Sequence, residues 1–216
     1  MQTTEVLNSR VLPLWLFKRN GPLKQITPEE ERIATGLSKR RAREYRHSRG
    51  NVRSALSELL GIEPLDIPMK ATPGKAPHLE QGLGYISFSH CSDALLLGWC
   101  QEKLGVDLER TDRTFKFNAL ANRFFSKKSQ SINIYKDNTR LNILEEWIVK
   151  EAAIKWQEGK LIEGLKYWNW NKSTNMVNND LTKTQLKIHK FDYKLWSISI
   201  AISKSKIKYY PIICTI

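Results

Sequence analysis

The sequence predicts an α+β protein made of two similar halves, residues 1–104 and 105–216, each an antiparallel sheet packed with helices. Two observations favour this fold class. Segments typical of helices and segments typical of strands come in blocks, and a first series of strand, helices and strands is followed by helices and strands again. Because no residue-level repeat accompanies this order, the duplication is an expectation from the order of elements alone.

The predicted first half begins with a strand and two helices. Residues 11–17 are apolar and β-prone, and the run Thr27-Pro28-Glu29-Glu30 has the pattern of a capping box at a helix start. A longer helix is expected over residues 38–60, ended by Gly61. Its inward positions are predicted to be Tyr45, Val52, Leu56 and either Leu59 or Leu60. Its arginines fall at other positions: Arg43, Arg46, Arg49 and Arg53.

Strands dominate the rest of the chain, apart from one long helix. After a loop over residues 64–84, strands are expected at 85–89, 94–99 and 104–109, with a turn at 91–93 between the first two. Residues 118–136 predict one or two short helices, and residues 141–158 predict the clearest helix, ended by Gly159. The last strands are expected at 167–170, 185–189, 195–202 and 207–213, with a polar turn-like stretch at 171–180.

The composition narrows the classes of partner. A formal net charge of +13 favours a polyanionic partner, which leaves nucleic acid, an anionic membrane, a phosphorylated ligand and an acidic protein open. No apolar stretch approaches the roughly 20 residues that a membrane-spanning helix needs, and the polar start lacks a secretory signal. Three scattered cysteines predict neither a disulfide framework nor a zinc site. A cytoplasmic protein is therefore expected.

A pair of carboxylates closes the strand predicted at 104–109. Side chains two apart on a strand share a face, so Asp107 and Glu109 point the same way while Val106 and Leu108 pack on the other side. Two carboxylates that project together repel each other unless a cation lies between them, and Mg²⁺ suits oxygen ligands and substrate phosphates. The alternative reading of these residues is a solvated strand end.

Three further groups could carry chemistry. In the long helix, Trp147, Glu151 and Lys155 form one stripe, although an exposed Glu–Lys pair is the commoner reading of such spacing. Ser89 and His90 close a strand that is expected near Asp107 because consecutive strands usually pair. A histidine there could donate to a phosphate or could be an ordinary strand-end residue. The lysine in Pro73-Gly74-Lys75-Ala76-Pro77 is placed on a stiff loop, which is unremarkable by itself.

Taken together and in this order, the motifs resemble the Sfp-type 4'-phosphopantetheinyl transferases. The resemblance covers about residues 43–160, and the last 55 residues match only as generic sheet. It is carried by the following segments: Gly74-Lys75-Ala76-Pro77, Phe88-Ser89-His90, Gly105-Val106-Asp107-Leu108-Glu109, Trp147 to Lys155 with Lys150, Glu151 and Ala152, and an upstream helix with Arg43, Tyr45, Ser48, Arg49 and Arg53.

The resemblance implies a fold and a set of roles. Members of this length are similar to two fused copies of a smaller fold with a pseudo-twofold relation, and they act as monomers with the site between the halves. Residues 1–104 would then bind coenzyme A, and residues 105–216 would carry the metal and catalytic residues. Mg²⁺ would be held by Asp107, Glu109 and Glu151. The residues expected to contact coenzyme A are Arg49, Arg53, Lys75, Ser89, His90, Lys150 and Lys155.

The implied reaction moves the phosphopantetheine arm of coenzyme A onto a serine of an acyl- or peptidyl-carrier protein. Glu151 would accept the serine proton and Lys155 would contact the phosphate under attack. Carrier proteins are typically acidic, so the net charge agrees with such a partner. Two rival readings remain: a member of the same fold that binds carriers without catalysis, and a nucleic-acid-binding protein that stacks bases on its tryptophans. Neither a nucleic-acid nor a membrane partner is expected.

Overall fold

The computed structural model describes residues 10–114, 139–203 and 210–215, and these residues form an α+β protein with four helices and three sheets, mostly antiparallel. The elements, in chain order, are β1 (Val11–Lys18), α1 (Pro28–Thr35), α2 (Lys39–Leu60), β2 (Met69–Lys70), β3 (His78–Leu79), β4 (Tyr85–His90), β5 (Ala94–Cys100), β6 (Leu104–Arg110), α3 (Thr139–Gln157), α4 (Leu161–Tyr167), β7 (Trp168–Asn171), β8 (Met176–Asn179), β9 (Gln185–Tyr193), β10 (Trp196–Ser203) and β11 (Tyr210–Thr215).

Two large sheets form the centre of the molecule. The first sheet has the strand order β11-β1-β5-β4, and the second sheet has the order β6-β10-β9-β8-β7; β2 and β3 form a separate hairpin. All pairings are antiparallel except that of β1 with β11, which is parallel with Leu14 opposite Ile213. The last described strand of the chain therefore completes the sheet that the first strand begins.

The core consists of three apolar clusters, each between two neighbouring layers of secondary structure. The two large sheets pack against each other through Leu14 and Leu96 of the first sheet and Val106 and Ile200 of the second. The opposite face of the first sheet packs against Val52, Leu56 and other residues of α2. The opposite face of the second sheet packs against α3 and α4. The order of layers is thus helix, sheet, sheet, helices, which is how each sheet buries both of its faces.

The predicted ends of the first two helices are confirmed. The side chain of Thr27 accepts a hydrogen bond from the backbone N–H of Glu30 at 3.2 Å, and the carboxylate of Glu30 accepts one from the N–H of Thr27 at 3.0 Å. This reciprocal pair is the capping box. Helix α2 ends where Gly61 takes a φ of 67°, a left-handed conformation that glycine adopts without a steric penalty.

Some segments predicted as turn or loop contain regular secondary structure. The stretch expected to be a turn at 171–180 contains β8, whose Val177 lies opposite Trp170 of β7. Its sequence, Met176-Val177-Asn178-Asn179, is too polar to predict a strand, and the pairing with its neighbours decides the conformation. The loop expected over 64–84 contains the short β2–β3 hairpin, and α4 was not predicted. The helices expected over 118–136 lie outside the described residues.

One close contact fixes α3 against the second sheet. A Cβ added at Gly105 of β6 would lie 2.0 Å from the carbonyl oxygen of Ala152 and 2.4 Å from the backbone nitrogen of Trp156. The backbone of α3 therefore rests directly on β6, which only a glycine at this position permits. Within the described part of the chain, no helix is long and apolar enough to cross a membrane.

Candidate active site at the junction of the two sheets

The edge strands β4 and β6 meet where the two large sheets join. Each strand pairs within its own sheet, β4 with β5 and β6 with β10. Serine side chains bridge the gap between them: the N–H of Val106 donates to Ser87 Oγ at 3.0 Å, and Ser89 Oγ donates to Asp107 Oδ1 at 2.5 Å. The expected proximity of Ser89 and Asp107 is confirmed. The expected pairing of the two strands is wrong, because they are edges of different sheets.

Strand β6 presents its two faces as its alternation predicts. Val106 and Leu108 are buried in the core between the sheets. Asp107 lies on the opposite face, where its carboxylate meets α3, and only 2% of the residue is exposed. Glu109 follows two positions later on the same face. The carboxylate pair is therefore partly removed from water, and the carboxylate of Asp107 is directed toward the long helix.

Helix α3 supplies a cation to Asp107. Lys155 Nζ donates to Asp107 Oδ1 at 2.6 Å, so this one oxygen accepts hydrogen bonds from both Lys155 and Ser89. The other oxygen, Asp107 Oδ2, is buried and has no hydrogen-bond partner among the described residues. A buried carboxylate oxygen without a partner is costly, since it has lost its hydration without compensation.

The carboxylate of Glu109 is paired with Arg113, whose guanidinium donates to Oε1. Burial raises the pKa of Glu109, the positive charge of Arg113 lowers it, and the charge of Asp107 raises it further. Arg113 is a site residue that the motifs did not reveal. The one signal in the sequence is its position four residues after Glu109, just beyond the strand end.

Glu151 lies one turn before Lys155 on α3 and is partly buried. Burial, followed by the negative charge of Asp107, raises the pKa of Glu151 to about 8 from its ordinary value of 4.5, while the charge of Lys155 opposes the change. In the absence of a cation this carboxyl group is therefore largely protonated at neutral pH. A carboxyl group with a pKa close to the working pH is suited to accepting a proton during a reaction.

A large cleft opens beside the cluster. It has a volume of about 1490 Å³, and its lining includes Lys75, Phe88 and Lys155. Ligand pockets are commonly about 300–1,000 Å³, so this cleft, called here the main cleft, has room for a ligand of coenzyme size. The lysines in its lining favour an anionic ligand.

His90 lines a smaller cleft of about 590 Å³, together with Arg19 and Glu109. Partial loss of hydration lowers the pKa of His90, because surrounding protein atoms replace water near the ring. The positive charges of Lys155 and Arg19 lower this pKa further. The imidazole is therefore neutral at physiological pH, with one ring nitrogen that donates and one that accepts. It lies near enough to Lys155 and Asp107 for their charges to act on it.

The two arginines predicted to approach coenzyme A differ in their surroundings. Arg49 is buried between the rings of Tyr45 and Phe88, at 4.6 and 5.0 Å from their centroids, and donates to the carbonyl oxygen of Ala71 at 2.6 Å. Because Phe88 lines the main cleft, Arg49 lies just behind that wall.

Arg53 is held by hydrogen bonds to other parts of the fold. Its guanidinium donates to both carboxylate oxygens of Glu30, at 2.8 and 3.1 Å, and to the carbonyl oxygens of Pro64 and Ile67. Only 3% of the residue is exposed. The structure does not bring it to the cluster around Asp107, and its expected contact with coenzyme A stays a prediction.

Lys150 is likewise away from the cluster. The residue is fully buried, and its ammonium group lies 3.0 Å from the carboxylate of Glu146 and 3.3 Å from the carbonyl oxygen of Leu165 in α4. Burial lowers the pKa of Lys150, and the charge of Glu146 opposes this. These contacts join α3 to α4.

Three carboxylates, those of Asp107, Glu109 and Glu151, are the candidate ligands for a metal ion at this site. Within residues 10–114, 139–203 and 210–215, no three His, Cys, Asp or Glu side chains are already gathered as a metal-binding group. The chemistry of the site nevertheless fits a divalent cation: Asp107 Oδ2 is buried without a partner, and the charge of Asp107 raises the pKa of both Glu109 and Glu151. The three carboxylates thus repel one another, and a bound cation would relieve that repulsion. Carboxylate oxygens are the ligands that Mg²⁺ prefers.

No protein-family model matches the chain, and no curated protein matches it significantly in sequence. The function is therefore inferred from the geometry of this site and from the motifs in the sequence.

Proposed function

We propose that the protein is a Mg²⁺-dependent 4'-phosphopantetheinyl transferase, which moves the phosphopantetheine arm of coenzyme A to a serine of a carrier protein. The observation that carries the proposal is Asp107, buried at the sheet junction with Lys155 on one oxygen and, in the part of the chain that the structure describes, no partner on the other. Glu151, beside it, has a pKa raised to about 8. These are the residues that the motif resemblance assigns to metal binding and catalysis.

The proposal includes a division of labour along the chain. Residues 1–104 and 105–216 are two similar halves with a pseudo-twofold relation, the first binding coenzyme A and the second supplying metal and catalytic residues. The meeting of β4 and β6 supports a site between the halves, since Ser89 comes from one and Asp107 from the other. As in the resembling family, the protein acts as a monomer.

Coenzyme A is proposed to lie in the main cleft. Lys75 and Lys155, which both line this cleft, supply positive charge toward its phosphates, with Lys75 at the adenosine end. Arg49 supports the wall at Phe88. Neutral His90 lines the smaller cleft and not the main cleft, so its proposed hydrogen bond to the 3'-phosphate requires that phosphate to extend from the main cleft toward the smaller one. Ser89 holds Asp107 in position through its 2.5 Å hydrogen bond.

Asp107, Glu109 and Glu151 would hold the Mg²⁺, with Oδ2 of Asp107, which no described residue hydrogen-bonds, as the first ligand. When bound, the cation neutralises negative charge on the diphosphate. Lys155 contributes a second positive charge, since 29% of its side chain is exposed and it lines the main cleft.

The transfer itself needs one proton acceptor and no covalent enzyme intermediate. The carrier serine oxygen forms a bond to the β-phosphorus of coenzyme A, and the bond from that phosphorus to the bridging oxygen breaks, which releases adenosine 3',5'-bisphosphate. Glu151, in its ionised form, accepts the serine proton. Lys155 balances charge on the transferring phosphoryl group.

The partner is proposed to be an acidic acyl- or peptidyl-carrier protein. The net charge of +13 favours encounter with an acidic surface and with the polyanionic coenzyme. A carrier-binding role without catalysis is less well supported, because Asp107, Glu109, Glu151 and Lys155 are all present and Lys155 contacts Asp107 directly.

Nucleic-acid binding has little support from the tryptophans. Trp168 is buried in the core, Trp147, Trp156 and Trp170 pack against that core, and Trp156 Nε1 donates to the carbonyl oxygen of Lys103. Side chains held in this way are poor platforms for stacking bases.

The proposal is tested by incubating an apo acyl-carrier protein with the enzyme, coenzyme A and Mg²⁺, beside a reaction with EDTA. Intact-mass spectrometry should show a gain of about 340 Da, the phosphopantetheine arm, that is absent with EDTA. A carrier whose acceptor serine is replaced by alanine is the matched control. No gain on acyl and peptidyl carriers alike would contradict the proposed function.

A further inference from the structure

Lys155 lies where a cation bound by Asp107 would lie. Its ammonium group is 2.6 Å from Asp107 Oδ1, and Ser89 donates to the same oxygen. One oxygen of the carboxylate is thus paired with an internal positive charge, while the second oxygen has no partner among the described residues. An ammonium group and a divalent cation would repel each other if both contacted this carboxylate.

The two partners of this ion pair differ in their freedom to move. Asp107 is fixed on the backbone of β6, with 3% of its side chain exposed. The side chain of Lys155 is 29% exposed and lines the main cleft, so its ammonium group has a route away from Asp107 into water or toward an anion. A lysine carries its charge on a flexible four-carbon stem, which lets it change partner without a backbone movement.

We propose that Lys155 is the internal counterion of Asp107 in the cation-free protein, and that a divalent cation displaces it into the main cleft. Binding of the cation and presentation of Lys155 to an anionic ligand are then one event. The same exchange of a metal for an organic cation applies at Glu109, which Arg113 holds in the cation-free protein. The inference rests on the metal site of the proposed function but not on the transfer reaction.

The first test is titration calorimetry of Mg²⁺ alone into the substrate-free protein at fixed pH. Lys155→Met removes the competing ammonium group, so the variant should bind Mg²⁺ about tenfold more tightly than the wild type. Lys160→Met is the matched control, because Lys160 also lines the main cleft but has no contact with Asp107 in the structure. Its Mg²⁺ affinity should change by less than about twofold, since an exposed charge is screened.

A second test uses the wild-type protein, so that it does not depend on the folding of a variant. Brief treatment with an amine-acylating reagent, followed by peptide mass spectrometry, should modify Lys155 several-fold faster when Mg²⁺ is present. Lys160 should react at the same rate in both conditions. A faster reaction of Lys155 alone would support displacement by the cation.

Equal or weaker Mg²⁺ binding by Lys155→Met, or labelling of Lys155 that Mg²⁺ leaves unchanged, would overturn the inference. These outcomes are separable from failure of the proposed function. If the wild type modifies a carrier while Lys155→Met gains no affinity for Mg²⁺, the counterion role is wrong and the transferase stands. If the affinity of Lys155→Met rises but the wild type modifies no carrier, the counterion role stands and the transferase is wrong.

Discussion

Replacing Asp107 by asparagine keeps the shape of the side chain and removes its charge. The variant loses the negative partner of Lys155 and the buried oxygen that we assign as the first metal ligand. Loss of about 4 kcal/mol of charge stabilisation in the transition state corresponds to a rate decrease of about 10³-fold. Turnover of a carrier protein should fall by at least that factor.

The same substitution should cost little stability. Removing one partner of a buried ion pair costs about 3–5 kcal/mol when the remaining charge stays buried. Here the remaining charge belongs to Lys155, whose side chain is 29% exposed and is able to reach water. The asparagine oxygen still accepts from Ser89, so the expected loss in unfolding free energy is only about 1–2 kcal/mol.

Initial rates of carrier modification and urea denaturation measure the two effects of Asp107→Asn separately. Asp180→Asn is the control, because Asp180 is an exposed residue beside β8 that accepts a hydrogen bond from Asn169. It removes the same charge and should keep the wild-type rate. A folded Asp107→Asn protein with a near-wild-type rate at saturating Mg²⁺ would refute the assignment of Asp107 to the metal site.

Three further predictions concern stability. As the pH rises from 4.5 to about 8, unfolded Glu151 ionises while the folded group stays protonated, so the unfolding free energy of the cation-free wild type falls. Glu151→Gln should lack that loss, which amounts to a few kcal/mol, in urea denaturation at pH 5 and 8.5 with EDTA; equal pH dependence would contradict the raised pKa. Arg53→Met should cost about 3 kcal/mol, and Arg46→Met clearly less, because the ion pair of Arg46 with Glu31 is much more accessible to water than that of Arg53 with Glu30; similar losses in the same assay would refute the scaffold role of Arg53. Gly105→Ala should cost about 3 kcal/mol or more through its backbone clash with α3, whereas Gly36→Ala, with its nearest atom at 3.5 Å, should be nearly neutral; equal melting temperatures would contradict that close contact.

Features that depend on neighbouring residues in the chain were predictable from the sequence. The two-residue alternation of β6 fixes which side Asp107 and Val106 face, and the structure confirms it. The cap at Thr27 and the stop at Gly61 follow from residues within one helical turn of each end. Each of these signals is local, so no tertiary information is needed.

The partners of charged residues were not predictable in this way. Arg53 is held by Glu30, which lies 23 residues earlier in the chain, and nothing in the helical pattern distinguishes it from the more accessible Arg46. The parallel pairing of β1 with β11 joins the two ends of the described chain. Such contacts depend on how the elements pack, which the order of residues along one element does not contain.

Helix geometry explains why the two lysines of the motif separate. Lys150 and Lys155 are five residues apart, and at 3.6 residues per turn this spacing rotates one side chain about 140° from the other. They therefore cannot share a face. Lys155 reaches Asp107, while Lys150 is buried beside Glu146 and α4. The spacing alone predicts that Lys150 lies on a different face from Lys155, and its burial beside α4 follows only from the packing.

The central claim is that this site transfers phosphopantetheine through Asp107 and Lys155. The most direct measurement is tandem mass spectrometry of an apo carrier protein after incubation with coenzyme A, Mg²⁺ and either the wild type, Asp107→Asn or Lys155→Met. We predict a phosphopantetheine arm on the acceptor serine with the wild type and at least about 10³-fold slower modification with either variant. An unmodified serine with the wild type, or equal modification by all three proteins, would contradict the account.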